Sequence, residues 1–240
     1  MNRMKRTLGA TSAALVGVMA LAGVALAADP YGDFNYVQPG NGSTTAVKLV
    51  SDANPGYGGI NFEVEDGLTF GELNSLSADF QVEADDLCEG GSPRFQVNVI
   101  DPNTNTVKNI FVYFGPESAS GACTPGTWQS TGDLLEAGKL IDTSQIGGTF
   151  YQPYADAVAA FGDYEVVGIQ VVVDASWKAS DGEQTVLIDN VEINGKTDSL
   201  GNVPSNKDEC KNGGWQELTD GNDQPFKNQG QCIQYANTGK

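Results

Sequence analysis

The chain contains no histidine among its 240 residues. That absence removes the imidazole base of serine- and cysteine-nucleophile hydrolysis, and with it every histidine-ligated metal centre. Positive charge is also scarce: 13 Lys and Arg stand against 31 Asp and Glu, a formal net charge of −18. A chain of that balance is repelled by nucleic acid and by anionic membrane surfaces. Cysteine is limited to Cys88, Cys123, Cys210 and Cys232, with no C-x-x-C pair. Zinc wants close pairs, so four spaced cysteines in an exported chain predict two disulfides.

Long apolar stretches are missing too, except one. Ala13 to Val24 is apolar, follows the basic Arg3, Lys5 and Arg6, and leads into Ala25-Leu26-Ala27. The run is short for a membrane span, and the small residues behind it are those a signal peptidase requires, so residues 1–27 read as a secretory signal peptide. No cysteine follows the run, which argues against a lipid anchor. The expectation is a secreted, extracellular, monomeric protein with no membrane insertion after cleavage. Three of the 13 basic residues and none of the acidic ones lie in the signal, leaving 10 against 31, a net charge of −21. Such acidity serves solubility, with divalent-cation binding as the functional alternative.

What is present is alternation. LSADFQVE places Leu76, Ala78, Phe80 and Val82 on one face and Ser77, Asp79, Gln81 and Glu83 on the other. PRFQVNVI does the same with Phe95, Val97 and Val99, and DPNTNT turns the chain into VKNIFVYF, where Ile110, Val112 and Phe114 alternate with Asn109, Phe111 and Tyr113. These three are expected to form a meander. Positions 88 and 123 then lie beyond the same end, which pairs Cys88 with Cys123 and leaves Cys210 for Cys232. Further strands are expected at AVKLVS, INFEV, YEVVGIQVVVD and QTVLIDNVEIN. One helix is expected in PYADAVAAFGD, with Ala155, Val158 and Ala159 on one side and Gly162 as a left-handed C-cap. The fold class is therefore all-β, an antiparallel β-sandwich (jelly roll) with one short helix. In the last strand Val186 and Ile188 share one parity and Val191 and Ile193 the other, which predicts a β-bulge at Asp189-Asn190.

After Gly195 the composition shifts. GKTDSLGNVPSNKDE is poor in apolar residues, and net charge changes from −20 over residues 28–195, with 5 basic and 25 acidic side chains, to −1 over 196–240, with 5 and 6. The expected organisation is a signal at 1–27, a sandwich at 28–195, a linker at 196–209 and a disulfide-stapled module at 210–240, separable from the sandwich. With few apolar residues, that module depends on its staple, a constraint of about 3 kcal/mol for a loop of this length.

Two resemblances accompany these readings. IDNVEING at the end of an all-β domain resembles the closing strand of jelly-roll carbohydrate-binding modules and galactose-binding-like domains. The resemblance implies a β-sandwich and Asp189 as ligand of a structural calcium; otherwise no cofactor is expected. CKNGGW with FKNQGQCI resembles a short two-cysteine module at the C-termini of bacterial exported proteins, which implies no particular activity.

The candidate site is aromatic. Sandwich modules bind glycans with exposed rings, and here Trp128, Trp177, Tyr151 and Tyr154 fall in loops, Tyr113 on the outward face of its strand beside Phe111, and Trp215 in the tail. Each has a structural alternative as packing. For Trp215 and Phe226 that alternative is the tail's own miniature core. Catalysis without histidine would need paired carboxylates. FEVEDG offers Glu63 and Glu65 but lacks the regular glucanase spacing, and DPNTN lacks the glycine and glutamate of a calcium loop. The expected function is a non-catalytic module for a neutral glycan, with a structural or adhesive surface protein as one alternative and a carboxylate-dyad glycoside hydrolase as the other.

Overall fold

A computed structural model describes residues 28–52, 56–89, 91–115, 123–179, 181–204 and 206–239. The signal segment 1–27 lies outside them. In chain order the strands are β1 (Ala28–Val37), β2 (Ala46–Ser51), β3 (Gly58–Phe62), β4 (Leu76–Val82), β5 (Arg94–Asp101), β6 (Thr106–Tyr113), β7 (Gln129–Ser130), β8 (Leu140–Ile141) and β9 (Gln152–Pro153). Helix α1 (Tyr154–Phe161) precedes β10 (Val166–Val173), β11 (Gln184–Ile193) and β12 (Lys196–Asp198), and α2 (Gln229–Thr238) closes the chain.

The strands curl into an antiparallel sandwich. One sheet runs β6-β5-β10-β3-β1 and the other β1-β2-β11-β4-β7, with β12 added beside β11. β1 belongs to both: Ala28 to Gly32 pair with β3, and Asp33 to Val37 with β2. Gly32, at φ 74°, is where it changes sheets, and a Cβ there would lie 2.4 Å from the Tyr57 carbonyl oxygen. Only glycine fits both conditions. β1 escapes the alternation test because Pro30 and Gly32 interrupt its first half and leave only the brief alternation of Phe34 and Tyr36 with Asp33 and Asn35 in its second.

Alternation works as expected elsewhere. Phe95, Val97, Val99, Ile110, Val112 and Ile169 of one sheet face Leu49, Leu76, Phe80, Val82, Val186 and Ile188 of the other, all of them buried. Phe114 joins the layers, its ring 5.0 Å from Phe95 and 5.5 Å from Phe80. The bulge in β11 is present: the register with β4 shifts between Asp189 and Glu192, Asn190 takes φ 46°, and Val191 and Ile193 return to the core.

Three expectations are corrected. The meander is a hairpin: β5 pairs with β6, whereas β4 lies in the other sheet beside β11, because the chain changes sheets between β4 and β5 instead of turning back. β4 and β6 nonetheless end at the same end of the sandwich, where the Gly126 N–H donates to the Val82 carbonyl, so Cys88 pairs with Cys123 at a Cα separation of 6.0 Å. In α1 the buried residue is Ala157, flanked by Tyr154, Val158 and Phe161, while Ala155 and Ala159 are exposed. Gly162 is right-handed, at φ −63°, because its carbonyl is held by the Gly71 N–H at 2.8 Å.

The sandwich also continues past Gly195. β12 pairs with β11, and Leu200 is buried with the sandwich core. The tail has its own small cluster, Cys210, Leu218, Phe226 and Cys232, against which Trp215, Ile233 and Tyr235 pack. Its second half is a helix: Asn228 caps α2 by accepting the Gln231 N–H at 2.9 Å, and Gly239 ends it at φ 66°. Cys210 and Cys232 pair at a Cα separation of 5.7 Å. Asp223 docks this unit. Its carboxylate accepts the Thr44 N–H at 2.6 Å, the Thr45 N–H at 3.1 Å and the Thr45 hydroxyl at 2.8 Å.

Candidate functional site

The outward face of the β6-β5-β10-β3-β1 sheet is unlike the rest of the molecule. Register places Asn61, Gln170, Gln96 and Phe111 side by side across β3, β10, β5 and β6. Next to that row lie Tyr31, Gly59, Val172, Arg94 and Tyr113, and on its other side Gly168, Asn98 and Asn109. No carboxylate occupies an outward position of β3, β5, β6 or β10. In a chain with 31 acidic residues this is a marked local exclusion; the acid of that row is Asp29, at its β1 end opposite Asn61. The opposite sheet shows the contrast, with Asp79 and Glu83 outward on the β4 edge and Lys48 bonded to Glu83 at 3.1 Å.

The four amides form one chain of hydrogen bonds. The Gln96 Nε2 donates to Asn98 Oδ1 at 3.1 Å and to Gln170 Oε1 at 2.9 Å, and the Gln170 Nε2 donates to Asn61 Oδ1 at 2.6 Å. Each amide is half-buried. Among the described residues the Asn61 and Asn98 amino groups and the Gln96 carbonyl meet no protein partner, so they are oriented by their neighbours and open to a ligand.

Rings border the amides on both sides, with β1 and β6 about 19 Å apart across five strands. On the β1 side Tyr31 lies down over Gly59, where a Cβ would come within 2.4 Å of its ring, and the Tyr57 ring is 6.0 Å away. On the β6 side Phe111 and Tyr113 are 6.3 Å apart, Tyr151 is 6.2 Å from Tyr113, and Phe150 is 5.9 Å from Tyr151. Tyr113 itself is buried and donates its hydroxyl to Asp142 at 2.6 Å. Burial, reinforced by that bond, raises its phenol well above the ordinary tyrosine range. Phe150 and Tyr151 are the exposed members. Tyr151 has φ 55°, a left-handed conformation rare for an aromatic residue, which the surrounding loop imposes.

Arg94 sits among these groups, and its charge is already used. Its guanidinium grips Asp174 with bonds of 2.6 and 2.7 Å, donates to the Gly91 carbonyl at 3.0 Å, and stands 4.7 Å from the Phe111 ring centroid. The face is left without net charge at its centre.

The other expected aromatics do not join it. Tyr154 is an internal tie: its hydroxyl donates to the Phe70 and Leu73 carbonyls, its ring meets Phe70 edge-on at 5.3 Å, and burial pushes its phenol up to about 12. Trp128 is half-buried beside β7, on the edge of the opposite sheet. Trp177 is 69% exposed in the loop after β10, three residues beyond Asp174. Trp215 packs on the tail's own cluster. Sequence reasoning missed Tyr31, Tyr57, Asn61, Gln96, Asn98 and Gln170. The signal was available in GINF, RFQVN and GIQVV, whose outward positions carry amides and glycine where the other strands carry acids.

Two acidic features were also expected to matter. Asp189 is fully buried at the bulge, accepting the Asn41 N–H at 2.6 Å, the Ser43 hydroxyl and the Asn190 N–H at 2.7 Å. Burial outweighs those donors and pushes its carboxyl up to about 6. Asp79 next to it accepts from Asn41 and Asn190 at 3.0 and 2.9 Å. The oxygens are thus engaged by donors that fasten the 38–45 loop, and no group of three acidic or cysteine ligands assembles among the described residues. Glu63 and Glu65 line a cavity of about 230 Å³ with Leu68, Ile193 and Lys196, and Lys196 takes Glu65 at 2.6 Å.

No family model matches the chain, and no curated protein matches its sequence. Its architecture is similar to that of the family 11 carbohydrate-binding module of cellulosomal cellulase Lic26A-Cel5E of Clostridium thermocellum, at 11% identity, 72% coverage of this chain, 89% of the other, and a TM-score of 0.38. A cellulose induced protein, Cip1, is similar at 14% identity over 71% of this chain and 91% of its own, with a TM-score of 0.33. An agarase, AgWH50C, is similar at 11% identity over 69% of this chain and 22% of the enzyme, with a TM-score of 0.35.

Proposed function

We propose that the protein is a secreted, non-catalytic binding module for a neutral glycan, held on the amide-lined face between the Tyr31 and Tyr151 rims. The observation that carries this reading is the absence of carboxylates from the outward positions of β3, β5, β6 and β10 in a strongly acidic chain, with Asp29 of β1 standing only at the border beside Asn61. Preformed amides present donors and acceptors to sugar hydroxyls without charge, and rings at the borders supply flat apolar surface for pyranose faces. The acidic remainder disfavours anionic polymers.

The hydrolase alternative has less in its favour. A glycosidase needs two carboxylates across the scissile bond, and at Glu63 and Glu65 one of the two is neutralised by Lys196. A structural calcium at Asp189 is likewise not needed in this reading, because donors already fill that carboxylate. Retention on insoluble neutral polysaccharides tests the proposal, with reducing sugar followed in the same incubation. Binding weakened about tenfold in Gln170→Ala and kept in Trp128→Ala supports it. Release of reducing sugar would favour the hydrolase, and envelope association without glycan retention would favour the adhesive alternative.

A further inference from the structure

A second feature of the molecule concerns its N-terminal strand. Where β1, β2, β12 and the C-terminal module meet there is a cavity of about 230 Å³, lined by Ala28, Pro30, Tyr36, Val47, Asp198 and Tyr235 among others. Asp198 ends β12. One of its oxygens accepts the Leu200 N–H at 2.7 Å, and the Ala28 backbone nitrogen donates to the same carboxylate. Burial raises this acid above its ordinary range, and the nearby Asp223 raises it further. The titratable groups around it are Asp29 and Tyr36 from β1, Asp223 from the module and Tyr235 from α2; among the described residues no lysine or arginine lines the cavity. A carboxylate withdrawn from water beside a second carboxylate calls for a cation.

Ala28 is also the residue that follows Ala25-Leu26-Ala27, the small-residue motif of a signal peptidase site. Two independent observations therefore meet on one nitrogen. We infer that the Ala27–Ala28 peptide bond is a processing site and that the α-ammonium released at Ala28 is the counter-ion of Asp198. Hydrolysis consumes one water: the C–N bond breaks, the water oxygen joins the Ala27 carbonyl carbon to leave a carboxylate, and the Ala28 nitrogen keeps its hydrogen and gains two. An amide hydrogen bond thereby becomes a charge-assisted pair. That pair ties the first strand of the sandwich to the end of β12, and its charge-assisted form exists only in the processed chain. This inference stands apart from the glycan reading.

The test uses the exported protein. Its intact mass is expected to begin at Ala28, and a different first residue would overturn the proposal. One additional residue before Ala28 is expected to lower the melting midpoint by about 2 °C or more in the wild type and to have no effect in Asp198→Asn. Equal losses in both backgrounds would refute the pairing. So that the test does not depend on the folding of Asp198→Asn, the α-amine of the unmutated protein is titrated as well. It is expected to titrate above the ordinary α-amino range of about 7.7–8.0 and to acylate several-fold more slowly than a free peptide amine; an ordinary titration and full reactivity would also overturn the inference.

Discussion

Gln170 donates to Asn61 and accepts from Gln96, so it holds two other amides in position while facing outward itself. Replacing it with alanine removes both restraints without disturbing the core, since its neighbours Ile169 and Val171 carry the packing. We expect Gln170→Ala to weaken glycan retention about tenfold, the equivalent of one or two net hydrogen bonds, with the melting midpoint nearly unchanged. Tyr151→Ala is expected to weaken it comparably through lost stacking, and Trp128→Ala, on the opposite sheet's edge, to leave it intact; depletion isotherms on the retaining polysaccharide measure all three. These residues were unequally legible in the sequence. Tyr113 and Tyr151 could be found because aromatics attract notice. The amides could not, because a single Gln or Asn on a strand is ordinary, and only register reveals that four of them adjoin.

At the scale of elements, the β11 bulge determines more than its own geometry. It was legible from parity alone, since Val186 and Ile188 could not otherwise share a core with Val191 and Ile193. The hairpin was legible as well, but the partner of β4 was not. Whether an eleven-residue connection turns back or crosses to the other sheet depends on the packing of the whole sandwich. At the bulge, Asp189 is buried with its carboxyl pushed up to about 6 from an ordinary 3.8. The native state therefore binds this proton more tightly than the unfolded chain. The resulting stability is fully present below pH 3.8 and is lost as pH rises through about 6, an effect on the order of 2 kcal/mol. Asp86 is raised by burial in the same direction. Thermal melts are accordingly expected to show a midpoint that increases from pH 7 to pH 5, with a shallower slope in Asp189→Asn and no response to a chelator. A calcium ion at Asp189 would produce the reverse, a midpoint that falls on acidification and on chelation.

The whole molecule combines an acidic sandwich with a nearly neutral tail, and the contacts between them are specific. Asp223 is buried and serves two backbone N–H groups and one hydroxyl of the 44–45 segment. Asp223→Ala would leave those donors unpaired, and a loss of about 2–4 kcal/mol is expected in chemical denaturation. A chain ending at Gly195 is expected to lose stability as well, because it lacks β12 and the buried Leu200. Composition showed where the tail begins to differ, but it could not show that the tail docks, since docking rests on a few placed hydrogen bonds. The central claim is that one uncharged face binds an uncharged polymer. The most direct measurement is retention of the wild type and Gln170→Ala on insoluble neutral polysaccharides at low and high salt. The account predicts wild-type retention that salt leaves unchanged and that the substitution weakens about tenfold. Retention that vanishes in salt, or that Gln170→Ala leaves at wild-type strength, would contradict it.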